Sequence, residues 1–577
     1  MLKITFKTID IFKLTGIGSA ILLVCLIFIG MILELIGIAL IIPILSFFIN
    51  PETFSNVNFL KNYIDPIYLQ NSKNYIYLLI ILIVSLYLFK NIFLFLISFL
   101  KFNILNNIQV KISNELYKFY INANYNYHLK KNSAYLIRNL TNEIPNTKSL
   151  ITQLINFYTE LLVIIFLTAF LIYANSWLGF FTFITLFLSG ILLFVLFKKF
   201  IKDLGKIRIV HAGHATKQII EGLGGIKDVK ILSKEDVFIN KYFYFMSKFN
   251  RSDRLVLTLG DLPRLIFELI AIFTMMSIIL IMSNLNYNQD KILVSLSIFA
   301  LCLIRMIPSF NRLILSMQTI NYQTPSFEKI YQLIIKKEDG FNFGTHLISK
   351  KLKVKFESKI EFKNISFSYD NKIKILDNIN LTINASDTIG IYGASGSGKT
   401  TLINIILGFM MPTVGKITFD SKEINSNEEF TVTGLGHVPQ NIYLIDSSIK
   451  ENIAFGIQSK EIDNIKLNKC IKLSRLDNFI KDLEHGSDTI IGENGIRLSG
   501  GQRQRIGIAR ALYNNPNILI FDEATNSLDS QTEIEIMKDI YKLGGNYTIL
   551  IISHNLETLK SCNRVYEVKN KKIIKIK

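Results

Sequence analysis

The chain has 577 residues, half of them hydrophobic, and a mean hydropathy of +0.34, which is too apolar for a soluble protein of this length. Its net charge of +19 would suit a nucleic-acid partner. The way that charge alternates between segments argues against one.

The hydrophobic excess is confined to about the first 320 residues, which hold six apolar stretches of membrane-crossing length. They lie near 17–49, 75–100, 151–174, 177–197, 255–283 and 292–318. The first contains Pro43 and is longer than a bilayer requires, so a bend or tilt is expected there. It is also too long for a cleavable signal peptide and lacks a small-residue cleavage site. Between the stretches, residues 101–150 hold seven Lys/Arg against two acids, and 198–254 hold thirteen against six. Segments 50–74 and 284–291 are balanced, with two of each sign and one of each. Cationic segments stay on the cytoplasmic side during insertion, which places both termini there. Trp177 falls in a short outer turn, where an interfacial aromatic is expected. Cys25, Cys302, Cys470 and Cys562 lack metal-ligand spacing, and structural disulfides are not expected.

The two inner connections are too long for loops. Helical periodicity runs through the first, at Ile112, Leu116, Phe119 and Tyr120 and again at Ile137, Leu140 and Ile144. The spacing therefore predicts helices that extend into the cytoplasm and reverse at two tips, near 124–133 and 223–236. Gly222, Gly224 and Gly225 break the helix before the second. The tips either dock on the following domain or form solvated charged hairpins.

Gly393, Ala394, Ser395, Gly396, Ser397, Gly398, Lys399 and Thr400 fit the phosphate-loop pattern G-x-x-x-x-G-K-[ST]. Glycines are needed because successive backbone N–H groups must turn inward around the phosphates. Lys399 supplies a charge for the β/γ-phosphates, and the Thr400 hydroxyl is a Mg²⁺ ligand. Ile389 and Ile391 before the loop and Leu402 to Leu407 after it give the required strand–loop–helix context. About a hundred residues on come Leu498, Ser499, Gly500, Gly501 and Gln502, and then Ile518 to Glu523, an apolar strand ending in two carboxylates. Its tip places Asp522 beside the metal and Glu523 beside the attacking water.

Residues 355–577 resemble the nucleotide-binding domain of an ABC (ATP-binding cassette) transporter, with residues 1–330 as a fused membrane domain and 331–354 as linker. The expected fold class is a membrane α-helical domain of six long helices followed by an α/β P-loop domain. The resemblance implies that Tyr369 stacks the adenine, that Thr401 belongs to the nucleotide site, and that Gln440 lies on the Q-loop. It places Glu493 before the signature, Asp529 on the D-loop and His554 at the switch position. It further implies ATP and Mg²⁺ as cofactors, with Thr400, Gln440 and Asp522 around the metal and Glu523, His554, Lys399 and Gln440 as the catalytic set. The tips would be the coupling helices of the exporter branch.

In that family the phosphate loop of one domain and the signature of another enclose each ATP, so one copy of each motif is half of a catalytic unit. A homodimer is the simple closure, and a heterodimer with a related half is the alternative. No nucleic-acid partner is implied.

Charges inside membrane spans are the best guide to cargo. At ~1.5 Å per residue, Lys90, Arg264 and Arg305 all reach the inner third of the bilayer core. Facing one cavity they would bind a multiply charged anion. Alternatively Arg264 pairs with Glu268, and Arg305 snorkels or pairs with Glu34 or Glu160. Segments 262–269, 304–312 and 34–43 resemble bacterial flippases for lipid-linked oligosaccharides, the PglK-like exporters. That implies an anionic polyprenyl-pyrophosphate-linked saccharide as substrate, moved across an inner membrane. A multidrug, lipid A-like or peptide exporter is the alternative, and an ATP-gated channel or regulator is another of a different class.

Overall fold

The computed structural model describes residues 2–39, 72–174, 176–285, 289–335, 352–369, 373–420, 422–424, 430–524 and 530–577. The chain divides into two compact units: residues 1–123 with 130–346, and residues 124–129 with 347–577.

The first unit is helical. In chain order it contains α1 (Leu2–Thr15), α2 (Ile17–Ala39) and the 51-residue α3 (Ser72–Asn122). The short α4 (Tyr125–Lys130), which belongs to the second unit up to residue 129, and α5 (Ser133–Arg138) follow, and a π-helical turn, Asn139–Glu143, leads into α6 (Ile144–Ala174). Next come α7 (Ser176–Gly224), α8 (Ile226–Ile231), α9 (Glu235–Asn284) and α10 (Gln289–Ile334). The expected tips are short helices: Asn132 caps α5 by accepting from Ala134 N, and of the three glycines expected to break the helix only Gly225 interrupts it, Gly222 and Gly224 lying within α7.

Four helical segments are long and apolar enough to cross a membrane among the described residues: Val84–Asn122, Ser133–Ala169, Phe183–Gly224 and Glu235–Asn284. The shorter apolar Ile17–Leu33 lies in the first predicted stretch, and the stretch at 292–318 lies inside α10. Pro43 falls outside the described residues. Large apolar side chains such as Phe95, Phe99, Leu192 and Phe273 point outward, as lipid contact demands. Close helix approach is set by Gly205, where a Cβ would stand 2.3 Å from the carbonyl oxygen of Tyr322.

The second unit carries three sheets. One has strand order β12-β11-β4-β10-β9-β8 and is parallel except for the β11–β12 pair. Its strands are β4 (Thr388–Tyr392), β8 (Leu435–Val438), β9 (Ile518–Asp522), β10 (Thr548–Ser553), β11 (Arg564–Lys569) and β12 (Lys572–Lys575). An antiparallel sheet, β3-β2-β5-β6, is built from β2 (Lys359–Ser368), β3 (Lys374–Asn384), β5 (Val414–Phe419) and β6 (Lys422–Ile424). The third is a parallel pair, β1 (Leu352–Lys355) with β7 (Phe430–Thr433). β4 and β10 are apolar and buried nearly throughout, the mark of parallel strands covered on both faces.

The helix after the phosphate loop, α11 (Lys399–Ile406), packs into a core shared by the large sheet and the antiparallel one. On the other face a second core holds α12 (Ile449–Ile453), α13 (Asn464–Leu473) and α15 (Gly500–Tyr513) against β8 and β9. The short α14 (Asp477–Lys481) lies between α13 and α15 in the chain, and α16 (Ser530–Leu543) adds Ile536, Met537 and Ile540 to that core.

Candidate nucleotide site

Strand register assembles the site. Ser553 of β10 stands opposite Tyr392 of β4, and Ile552 opposite Asp522 of β9. Val438 of β8 pairs with Phe521. One edge of the parallel sheet therefore presents, side by side, the loop that starts at Gly393, the Asp522–Glu523 tip, His554 and the segment leading to Gln440. Carboxyl ends of parallel strands are where open α/β sheets bind ligands.

The phosphate loop is built for close backbone approach. A Cβ at Gly393 would meet Val568 O at 2.7 Å, and Gly398 caps α11 with φ of 105°, a conformation that favours glycine. Lys399 is buried, and its ammonium donates to the carbonyls of Gly393 (2.7 Å) and Ala394 (3.0 Å). Ala394, Ser395 and Gly396 are exposed. The Ser397 hydroxyl is buried without a partner, so the cradle has an unsatisfied polar group where a phosphate oxygen would sit. Thr400 is exposed beside it, free of the core that holds Leu402 and Ile403.

The carboxylates converge on the same lysine. Lys399 Nζ lies 3.4 Å from Glu523 Oε1, and Gln440 Nε2 donates to Glu523 Oε2 at 3.2 Å. Glu523 has φ of 46°, a left-handed conformation rare for a non-glycine residue and characteristic of functional turns. Burial, reinforced by the neighbouring Glu523 charge and opposed by Lys399, raises the Asp522 carboxyl to about 6. A half-buried carboxylate with raised proton affinity fits a position meant for a cation.

Tyr369 is 45% exposed, and its hydroxyl lies 3.3 Å from Thr401 Oγ1 while its ring meets Phe367 edge-on. The ring is thus anchored with a face available. His554 is exposed at the end of β10. Ser499 caps α15 by accepting from Gln502 N, and Gln502 Oε1 accepts from Ser499 N in return, leaving Gly500 and Gly501 in the first turn. That helix packs on α12, α13 and β8, whereas α11 packs on β3. Glu493 opens an exposed 3₁₀ turn ahead of the signature. Asp529 lies outside the described residues.

Sequence reasoning missed Arg510. From α15 it donates to the carbonyls of Tyr443 and Asn452, each at 2.8 Å, tying the signature helix to the segment that follows Gln440. A lone arginine on an otherwise buried helix face was the available signal.

The intramembrane cations are placed as follows. Arg264 bonds Glu268 at 2.9 Å, so the i,i+4 pairing is the one found. Lys90 sits over the Tyr87 ring at 4.6 Å. The side chains of Arg305 and Glu34 lie outside the described residues. Glu160 takes Arg312, which bonds both carboxylate oxygens and also donates to Ser309. Lys101 donates to Asn156 at 3.2 Å and interacts electrostatically with Glu160.

Residues 20–307 match the ABC transporter transmembrane region family, and residues 376–526 match the ABC transporter family. The chain belongs to the ABC transporter family. It has the exporter arrangement, with membrane and ATP-binding domains fused. It is similar to the alpha-hemolysin translocation ATP-binding protein HlyB of Escherichia coli O157:H7, 43% identical over 37% of this chain and 30% of that protein. The chain thus spans less than a third of that relative's length. An ATP-dependent lipid A-core flippase of Desulfotalea psychrophila is 28% identical over 89% of each chain. The fold matches a bacterial Atm1-family ABC exporter solved with ATP bound, with a TM-score of 0.76 at 20% identity, covering 97% of this chain and 94% of that one.

Proposed function

We propose that two copies of this chain couple ATP hydrolysis to the movement of an anionic glycolipid from the inner to the outer leaflet of an inner membrane. The glycolipid is a polyprenyl-pyrophosphate-linked oligosaccharide. The observation that carries the ATPase half is the contact of Lys399 and Gln440 with the two oxygens of Glu523. Glu523 accepts the proton of the attacking water, and Gln440 fixes the carboxylate that does so. Lys399 leaves the Gly393 and Ala394 carbonyls to neutralise charge on the phosphates, and His554 holds the γ-phosphate from the adjacent strand end. Thr400, Gln440 and Asp522 are the side chains that would hold Mg²⁺, which when bound screens the phosphate charge.

Closure of the second side of each site falls to the partner copy, through Ser499 and Gly501 at an exposed helix N-terminus that favours anions. Asp529 is proposed for the same interface. Both termini and the nucleotide domain are assigned to the cytoplasm.

For the substrate, the support is an excess of positive charge at membrane depth. Lys101 and Arg312 share the carboxylate of Glu160, and Lys90 and Arg305 add to it by their position in the sequence, whereas Arg264 is balanced by Glu268. Charges there are expensive unless they have a task. A lipid A-type glycolipid is the second reading, favoured by similarity to the flippase over 89% of the chain. A flipping assay in proteoliposomes, with polyprenyl-pyrophosphate glycans and lipid A-type glycolipids side by side, tests both. ATP-dependent flux of the pyrophosphate glycan alone supports the first reading. Flux of neutral drugs or peptides instead overturns both.

A further inference from the structure

Inside the first unit, polar groups that no internal bond satisfies gather around one cleft. The π-helical turn before α6, together with α7, α9 and α10, encloses about 480 Å³, within the range of small-molecule sites. Glu143 lines it at 1% exposure. One of its carboxylate oxygens lies 3.1 Å from Arg138 Nε, and the other, Oε2, has no hydrogen-bond partner. Gln323, 8% exposed, lines the same cleft, and its Oε1 is likewise unpartnered. The Asp253 carboxylate in the wall accepts from the Tyr322 hydroxyl.

Arg208 also lines the cleft, but its guanidinium is engaged. It donates to Ser326 Oγ at 2.9 Å and lies over the Tyr322 ring at 4.4 Å. Two acceptor oxygens, Glu143 Oε2 and Gln323 Oε1, are left over, and of the two carboxylates in the lining Glu143 is paired from behind by Arg138 while Asp253 faces the cleft with Arg208. A group that brings its own N–H donors finds several acceptors.

The cleft sits at the water's edge. Glu143 precedes the apolar stretch at 151–174 by eight residues, Asp253 precedes that at 255–283 by two, and Tyr322 follows that at 292–318 by four. A solute reaches this level from the cytoplasm without crossing hydrocarbon.

We infer that this cleft binds the primary ammonium group of a small organic amine. An ammonium carries three donors and a compact charge, which suits Glu143 Oε2, Gln323 Oε1 and the Asp253 carboxylate. A bound amine bridges four helices and stabilises their present arrangement by mass action. The site is separate from the ATP site and does not depend on the identity of the transported lipid.

The test is calorimetric titration of the full-length protein in detergent with spermidine, beside a neutral diol of similar length. Saturable binding of spermidine alone is expected, at one site per chain. Affinity should weaken at least about tenfold in Asp253→Asn and in Gln323→Leu. ATP hydrolysis without amine should be unchanged in Asp253→Asn. A parallel arm compares nanodiscs of phosphatidylethanolamine and phosphatidylcholine. Stabilisation by the ethanolamine lipid alone keeps the site and assigns the ammonium to a headgroup. No binding in either arm, equal binding of the diol, or unchanged affinity in both variants overturns the inference.

Discussion

Lys399 Nζ stands 3.4 Å from Glu523 Oε1, joining the first residue of the phosphate-loop helix to the tip of a strand more than a hundred residues later. Two motifs thereby act on one small volume. The lysine is held back from Glu523 by two loop carbonyls, so it has partners to exchange when phosphates arrive.

Replacing Glu523 by Gln keeps the shape and the bond from Gln440 but removes the proton acceptor. Hydrolysis should fall by about 10²–10⁴-fold while ATP binding persists. Single-turnover hydrolysis beside equilibrium nucleotide binding measures both. Hydrolysis at the unaltered rate would remove Glu523 from its role.

Two half-buried groups in the nucleotide domain shift stability with pH in opposite directions. Burial holds the His437 imidazole down at about 4, against about 6.5 in an unfolded chain. Between those values the unfolded chain binds the proton first. Stability from this group is full above 6.5 and is lost as pH falls toward 4, by up to about 3 kcal/mol. Asp522, raised to about 6, is protonated first in the folded state, so the nucleotide-free domain gains from it as pH falls from 7 toward 4. Thermal unfolding across pH 4–7 should show His437→Leu losing less stability on acidification than the parent, and Asp522→Asn losing more.

The Tyr125 ring lies 5.1 Å from that of Phe409, within the second unit. If this contact transmits nucleotide binding, Tyr125→Ala should uncouple the machine. Transport per ATP should drop by a factor of about 2–10, the worth of an aromatic pair, with hydrolysis retained. Parallel loss of flux and hydrolysis would instead mark the contact as merely structural.

Removing Arg312 leaves Glu160, whose side chain is 12% exposed, without its bidentate partner. Arg312→Met should cost about 2–3 kcal/mol, less than the ~3–5 of a fully buried pair because the arginine is partly exposed. Adding Glu160→Gln should restore most of it. Melting in detergent of the two single variants and the double variant gives the coupling directly.

The nucleotide site was legible because phosphate chemistry fixes residue types and spacing, and an apolar strand such as Ile518–Asp522 announces where its carboxylates end up. The pairing of Arg264 with Glu268 was legible as well, since i,i+4 neighbours meet on any helix. The partner of Glu160 was not. Arg305 was the cation expected there, whereas Arg312, seven residues further on, is the one that reaches it; that choice depends on how α6 packs on α10, which no local pattern encodes. The contact by which Arg510 links the signature helix to the segment after Gln440 was hidden for the same reason. The cleft around Glu143 depends on a π-helical turn, an irregularity that hydrophobic periodicity does not report.

The proposal that two chains complete each other's ATP sites is tested most directly by complementation. Lys399→Ala disables the phosphate loop, and Ser499→Arg disables the signature. Alone, each variant should be inactive. When they are co-assembled, one intact loop faces one intact signature, and hydrolysis should return. If the mixture stays as inactive as its parents although mixed dimers form, or if the isolated monomer hydrolyses at full rate, the shared site is contradicted.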